Sequence, residues 1–215
     1  DLLLTIDLPL QKAAEEALYR PAPNKPKNVR GAVVVMDAQN GDIYALVSAP
    51  AFDPNQFIPA ITQREMDILN NVTNATMYNR VTQGEYHPGS VFKIMTALAC
   101  LESGVLSATN INEPFHNPGF FKVGRTVIKD EAAPGNYDFE RAFIKSSNTY
   151  FIHYGLLAGF SAIQSIGMQF QFGQYMRLPT GQNEQGNFPS PPWLLRKGLV
   201  MNQGDTANLT IGQGF

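Results

Sequence analysis

The sequence predicts a mixed α/β (α+β) fold, an antiparallel sheet flanked by helices and followed by a large helical portion. Three observations carry that expectation. Two β-rich runs, 32–36 and 43–47, flank an Asn40-Gly41 turn and read as an antiparallel hairpin. Apolar residues recur at helical spacing before the hairpin and repeatedly after it. The chain has 215 residues, a net charge of -2 and the apolar share of an ordinary globular protein, enough to bury a core.

Taken in order, Leu10, Ala13, Ala14, Ala17 and Leu18 give a helix from Asp7 to Leu18. Residues 19–30, rich in Pro, Asn and Lys, are expected to form an exposed loop. Both hairpin runs are almost continuously apolar, which predicts a central hairpin covered on both faces. Residues 50–59 are turn-rich, and 61–82 are mixed and polar. Pro88-Gly89 breaks the chain. Ser90 then opens a helix whose apolar positions Val91, Ile94, Met95, Leu98 and Leu101 keep the period as far as a stop at Gly104. Residues 107–137 are loop-rich and take no element. Asp138 can cap a short helix through Ile144. Further helices are expected from Thr149 towards Leu157, ending near Gly159, from Ser161 to Phe170, and from Pro192 to Leu199.

The same features exclude several functions. There is no dense cluster of Lys or Arg, so no nucleic-acid footprint. Cys100 is the only cysteine and allows no internal disulfide. It lies on an apolar helix and reads as a buried thiol. His87, His116 and His153 are scattered without metal-ligand spacing. No segment approaches the ~20 apolar residues of a membrane span. The opening Asp1 to Asp7 has no basic leader and reads as the interior of a longer polypeptide. The Asn-x-Thr sequences at Asn71, Asn74 and Asn208 read as chance, and Asp130 and Glu131 as solvated surface.

The chemistry-bearing pattern is Ser90-Val91-Phe92-Lys93. A serine hydroxyl is a weak nucleophile until a base takes its proton. Three residues apart on a helix, Ser90 and Lys93 share a face. Lys93 could act as that base only if burial or a neighbouring cation lowered its pKa from ~10.4. Backbone N–H groups at the helix start could receive developing negative charge at Ser90. On its own such a pair is more often a capping serine and a solvated lysine. A second element, Ser146-Ser147-Asn148, sits between two predicted helices. There a hydroxyl could relay a proton and an amide could orient a lysine or a substrate carbonyl. Alone, it too reads more simply as a helix cap.

Together, and in this order, Ser-x-x-Lys and Ser-x-Asn form the signature of penicillin-binding proteins and related β-lactamases. The resemblance runs along the whole chain. It includes Leu4 to Gln11, Gly31 to Pro50, Phe52-Asp53-Pro54-Asn55, Tyr86 to Lys93, Ser146 to Phe151, and Gly204-Asp205-Thr206 with Ile211 to Phe215. These segments resemble the transpeptidase domain of class B penicillin-binding proteins of the elongation type (the penicillin-binding protein 2 family). The resemblance implies the transpeptidase fold, with a helical subdomain, over residues 1–215. It also implies a D,D-transpeptidase acting on peptidoglycan stem peptides that end in D-Ala-D-Ala. The implied roles are Ser90 as nucleophile, Lys93 as proton acceptor, Ser146 as proton relay and Asn148 as the group that positions lysine and peptide.

No metal or organic cofactor is implied. β-Lactam antibiotics are expected to acylate Ser90, and elongation-complex proteins are expected partners. The expected location is the extracytoplasmic face of the bacterial membrane, with an amino-terminal anchor ahead of Asp1. The family's third motif, Lys-Thr-Gly or Lys-Ser-Gly, does not occur in these residues. It is expected after Phe215 or on a second polypeptide, together with further strands of the sheet. A β-lactam hydrolase or sensor on the same scaffold, and a non-catalytic scaffold protein, are the alternatives. Asn148 and the lack of an obvious deacylating carboxylate favour the transferase over the hydrolase.

Overall fold

The computed structural model describes residues 3–20, 29–71, 75–176, 178, 181 and 183–214. The chain forms two compact units, Asp1–Glu85 with Arg177–Glu184, and Tyr86–Met176 with Gln185–Phe215.

In the first unit, α1 (Leu8–Tyr19) lies on a hairpin of β1 (Gly31–Met36) and β2 (Ile43–Ala49). Asp7 caps α1 by accepting the Leu10 N–H at 2.8 Å, and Pro9 sits where a helix needs no N–H. The Gln11 side chain pairs with Leu46 as a strand residue would, accepting its N–H at 2.8 Å and donating to its carbonyl at 3.1 Å. Ala14 packs there against Ala45 and Val47. The described residues cover the hairpin on one face. Register pairs Val33 with Val47 and Val35 with Ala45 towards α1, whereas Val34 and Met36 on the opposite face are 48% and 58% exposed among the described residues. A continuous apolar run does not reveal which of its two faces is covered. The turn spans six residues, Asp37 to Asp42, with a bulge at Val35/Met36 and a left-handed Gly41. The unit also holds α2 (Gln63–Leu69), in the stretch where the sequence alone assigns no element. Most of the 19–30 loop and part of the Asn71 and Asn74 sequences lie outside the described residues.

The second unit is built on α3 (Lys93–Glu102), α5 (Asn148–Ala158), α6 (Phe160–Gln169) and α8 (Gln203–Thr210), with the short α4 (Phe139–Ile144) and α7 (Pro191–Lys197). Residues 107–137 contain two small antiparallel ribbons that the sequence reading misses. β3 (Phe115–Asn117) pairs with β6 (Gly135–Tyr137), and β4 (Phe120–Val123) with β5 (Thr126–Lys129). Strands of three or four residues carry too few alternations to be legible. α8 is also missed, although Asn202 and Asp205 form a reciprocal capping box at its start.

α5 is the centre of this unit. Tyr150, Phe151 and Ile152 are each at most 1% exposed, so consecutive residues are buried all round the helix. α3 and α8 both pack on it. Gly155 permits the close approach: a Cβ there would lie 3.0 Å from Thr96 Cγ2 and would also run into the Thr210 side chain. Thr96 Oγ1 donates to the Thr210 carbonyl at 2.8 Å, tying α3 to α8. Replacing Gly155 with Ala gains about 1 kcal/mol of helix propensity but overpacks this junction at about 1–3 kcal/mol. A lowered thermal midpoint is therefore expected for Gly155→Ala; an unchanged or raised midpoint would contradict the packing described.

Candidate active site

Ser90 lies on a 3-10 turn, Gly89–Phe92, that runs directly into α3 at Lys93. The α-helix therefore begins at Lys93 and not at Ser90, a correction to the sequence reading. The tighter turn strengthens the underlying idea, because residues three apart eclipse in a 3-10 helix. The Lys93 N–H donates to the Ser90 carbonyl, and Ser90 itself is exposed. The turn is fixed from behind: Gly89, at φ 58°, donates its N–H to the Gly212 carbonyl at 3.0 Å. Gly212 has φ 69°, and a Cβ there would run into the Gly89 backbone. Only glycine fits at that contact.

Lys93 is 3% exposed. Its Nζ donates to the Ser146 carbonyl at 2.6 Å, to Asn148 Oδ1 at 2.7 Å and to Ser146 Oγ at 3.0 Å, with the Phe151 ring 5.7 Å away. These acceptors come from the α4–α5 junction. The Ser147 N–H donates back to Ala142 O and the Ser146 N–H to Phe143 O, which closes α4 in a Schellman turn. Ser146 takes the left-handed position of that turn, φ 55°, where glycine is usual. A non-glycine residue held there stores about 1 kcal/mol or more of strain. The strained conformation turns both its carbonyl and its hydroxyl onto the lysine.

Ser147 starts α5 as its N-cap, accepting the Tyr150 N–H at 3.3 Å. The capping role that Ser146 and Asn148 could have filled is thus taken by the residue between them. Asn148 is oriented by its amide, since Nδ2 donates to the Lys129 carbonyl at 3.2 Å and Oδ1 is left to face Lys93.

The structure brings Lys93, Ser146 and Asn148 into direct contact and places Ser90 one 3-10 turn away on the same segment. Burial lowers the Lys93 pKa from its ordinary 10.5 to about 8, against the opposing pull of Asp130 and Glu131. An ammonium fills all three contacts with N–H donors. A neutral amine has two N–H groups and one lone pair. Ser146 O and Asn148 Oδ1 can only accept, so Ser146 Oγ is the partner able to turn round and donate. The site can therefore hold the amine in either protonation state.

The reading of Asp130 as solvated surface is corrected. Its carboxylate is half-buried and accepts the Ser147 hydroxyl at 2.7 Å and the Asn148 and Thr149 N–H groups at 2.9 and 2.8 Å. No local spacing signals this, because the partners lie 17 to 19 residues downstream. Glu131 is exposed, as expected. Cys100 is buried at 1% exposure, and burial pushes its thiol up to about 12, as the apolar helix suggested.

Residues 31–214 match the family model of the penicillin binding protein transpeptidase domain. The chain is 34% identical over 218 aligned residues to the peptidoglycan D,D-transpeptidase MrdA of Acinetobacter baumannii, an alignment that takes in 100% of this chain and 31% of MrdA. Among solved structures it resembles Pseudomonas aeruginosa PBP2 in complex with WCK 5153 (TM-score 0.86, 32% identity, 100% of this chain and 47% of that one). It also resembles the PBP2 of Helicobacter pylori in its complex with MreC (TM-score 0.81, 31% identity, 97% and 38%). On this fold the exposed Ser90 lies one turn before the buried Lys93. The chain belongs to the penicillin-binding protein transpeptidase family, and it spans about a third of the length of the curated relatives it matches.

In a 13C NMR titration of lysine side chains, Lys93 is expected to have its midpoint near pH 8, with exposed lysines near the ordinary ~10.4. A Lys93 midpoint above 10 would contradict its buried placement.

Proposed function

We propose that this chain carries the acylation site of a peptidoglycan D,D-transpeptidase. The single observation that carries the reading is the buried Lys93 amine, held by Ser146 and Asn148 next to the Ser90 turn and brought to a pKa of about 8. Near neutral pH a useful fraction of that amine is unprotonated, as a general base requires.

In this reading Ser90 Oγ attacks the carbonyl between the two terminal D-Ala residues of a stem peptide. As the Ser146 hydroxyl turns away from the nitrogen, the Ser90 proton passes to the Lys93 lone pair. The Ser90 N–H, at the open start of the 3-10 turn, offers a hydrogen bond to the oxyanion. As the tetrahedral centre collapses, the C–N bond breaks and the leaving D-Ala amine takes a proton from Lys93 through Ser146 Oγ. This leaves an ester on Ser90 and a neutral lysine. An amine from a second stem peptide repeats the sequence in reverse and forms the cross-link. Asn148 holds the lysine and presents its amide to the peptide backbone. β-Lactams are proposed to enter as mimics of the same carbonyl and remain esterified to Ser90. No cofactor enters this scheme.

The wider setting belongs to the same proposal. Cross-linking takes place on the extracytoplasmic side of the membrane, and the reading includes an amino-terminal anchor outside these residues. No described helix is long and apolar enough to cross a membrane. The third motif, Lys-[Ser/Thr]-Gly, is proposed to come from elsewhere in the full-length protein or from a second polypeptide. The MreC complex of the Helicobacter pylori relative supports elongation-complex proteins as partners.

In full-length protein, Ser90→Ala is expected to abolish covalent labelling by a fluorescent penicillin, and persistent labelling would remove Ser90 from its role. Lys93→Ala should slow acylation by about 10²–10⁴-fold, the usual contribution of a positioned base. Because the neutral amine is the active form, the acylation rate should rise about tenfold per pH unit below the Lys93 pKa and level off above it. A rate independent of pH between about 6 and 9 would exclude Lys93 as the base.

A further inference from the structure

Asp130 follows directly on β5, and its carboxylate accepts five hydrogen bonds. Oδ1 takes the Ala132 N–H at 3.0 Å and the Asn148 N–H at 2.9 Å. Oδ2 takes Ser147 Oγ at 2.7 Å, the Thr149 N–H at 2.8 Å and Asn117 Nδ2 at 3.0 Å. Three of these donors belong to the first turn of α5 or its cap. A carboxylate in that place satisfies N–H groups that have no partner inside the helix and complements the helix dipole. Asn117 and Ser147 are both 0% exposed, and Asn117 Nδ2 also reaches Ser147 Oγ at 3.3 Å. The cluster is therefore locked into the core. The preceding residue grips the same helix start, since the Lys129 carbonyl receives Asn148 Nδ2. Residues 129 and 130 thus hold Asn148 at its backbone and at one N–H of its amide, with Oδ1 turned to Lys93.

We propose that Asp130 is a positioning residue for acyl transfer, fixing the first turn of α5 so that Asn148 and Ser146 stay on Lys93. The inference rests on the roles proposed for Ser90 and Lys93. Asp130 touches neither of them and acts through α5. Burial alone would raise its own carboxyl, but the hydrogen bonds from Ser147, Thr149, Ala132 and Asn148 outweigh that and hold it below the ordinary range. It stays ionised wherever the site works. Its charge then acts on the same amine, because Asp130 and, after it, Glu131 oppose the lowering of Lys93 by burial.

The test compares Asp130→Asn, Ser147→Ala and Glu131→Gln in the full-length protein, reading acylation by a fluorescent penicillin from pH 6 to 10. Asp130→Asn removes the charge and turns an amide towards N–H groups. Its plateau rate is expected to fall about 10-fold to 100-fold, the effect of sub-ångström to 1 Å misplacement. Its pH midpoint should move below that of the unmodified protein, since the ammonium form loses a carboxylate that favours it. Ser147→Ala keeps the charge and cuts one link, so the plateau should fall several-fold at an unmoved midpoint. This variant carries the test if Asp130→Asn does not fold. Glu131→Gln, which lacks the helix contacts, should keep the plateau.

Unaltered plateaus in both Asp130→Asn and Ser147→Ala would overturn the proposal. A loss that tracks thermal stability alone, with no shift of the Asp130→Asn midpoint, would overturn it too. If the unmodified protein is not acylated, the acyl-transfer reading fails instead. The 13C NMR midpoint of Lys93 then still decides the inference, falling in Asp130→Asn if Asp130 acts on the amine and staying put if it does not.

Discussion

The rest of the second unit depends on where the Lys93 amine can be accommodated. An ammonium taken out of water is tolerated only with full hydrogen bonding, and an amine with a free proton or lone pair needs a partner that can change roles. At 3% exposure Lys93 has little solvent to fall back on. Its three acceptors are a backbone carbonyl and a hydroxyl from Ser146 and an amide oxygen from Asn148, two residues of one short junction. That requirement is met by the tight turn between α4 and α5, the left-handed Ser146, and the half-buried carboxylate that secures the start of α5. The result is an amine whose pKa reflects a contest. Burial favours the neutral form, while Asp130 and Glu131 favour the charged one, and burial prevails.

The precision of the site comes from the helices behind it. Lys93 begins α3, Asn148 begins α5, and Gly212 follows α8. These three helices converge where Thr96, Gly155 and Thr210 meet. The backbone that holds the Ser90 turn, the helix that carries Lys93 and the loop that holds its amine are thus parts of one packed core. Sites supported in this way tolerate little displacement. One local conformation is uncomfortable alone, Ser146 in a position suited to glycine, and it persists because neighbouring backbone hydrogen bonds determine it.

Much of this was legible in the sequence where the signal is local. The period of α3, the Asn40-Gly41 turn and the two motifs each need only a few consecutive residues. The three-residue spacing of Ser90 and Lys93 survived the change from α-helix to 3-10 turn because both geometries put such residues on one side. The four short strands between 115 and 137 were not legible, since none is long enough to alternate. Which face of the hairpin is covered was not legible either, because both faces are apolar. Asp130 escaped notice for a different reason. Its meaning lies in contacts with residues 147–149, brought to it by the ribbons and by α5, and a lone Asp after a β-run is ordinarily solvated.

The central claim is that Lys93 can be held as a neutral amine by partners of which only Ser146 Oγ changes direction. Neutron diffraction from crystals of the full-length protein grown above pH 8 tests it directly. The expected map shows two hydrogens on Nζ, aimed at Ser146 O and Asn148 Oδ1, with the Ser146 hydroxyl hydrogen turned towards the nitrogen. Three hydrogens on Nζ at that pH, or a lysine side chain swung out to solvent, would contradict it.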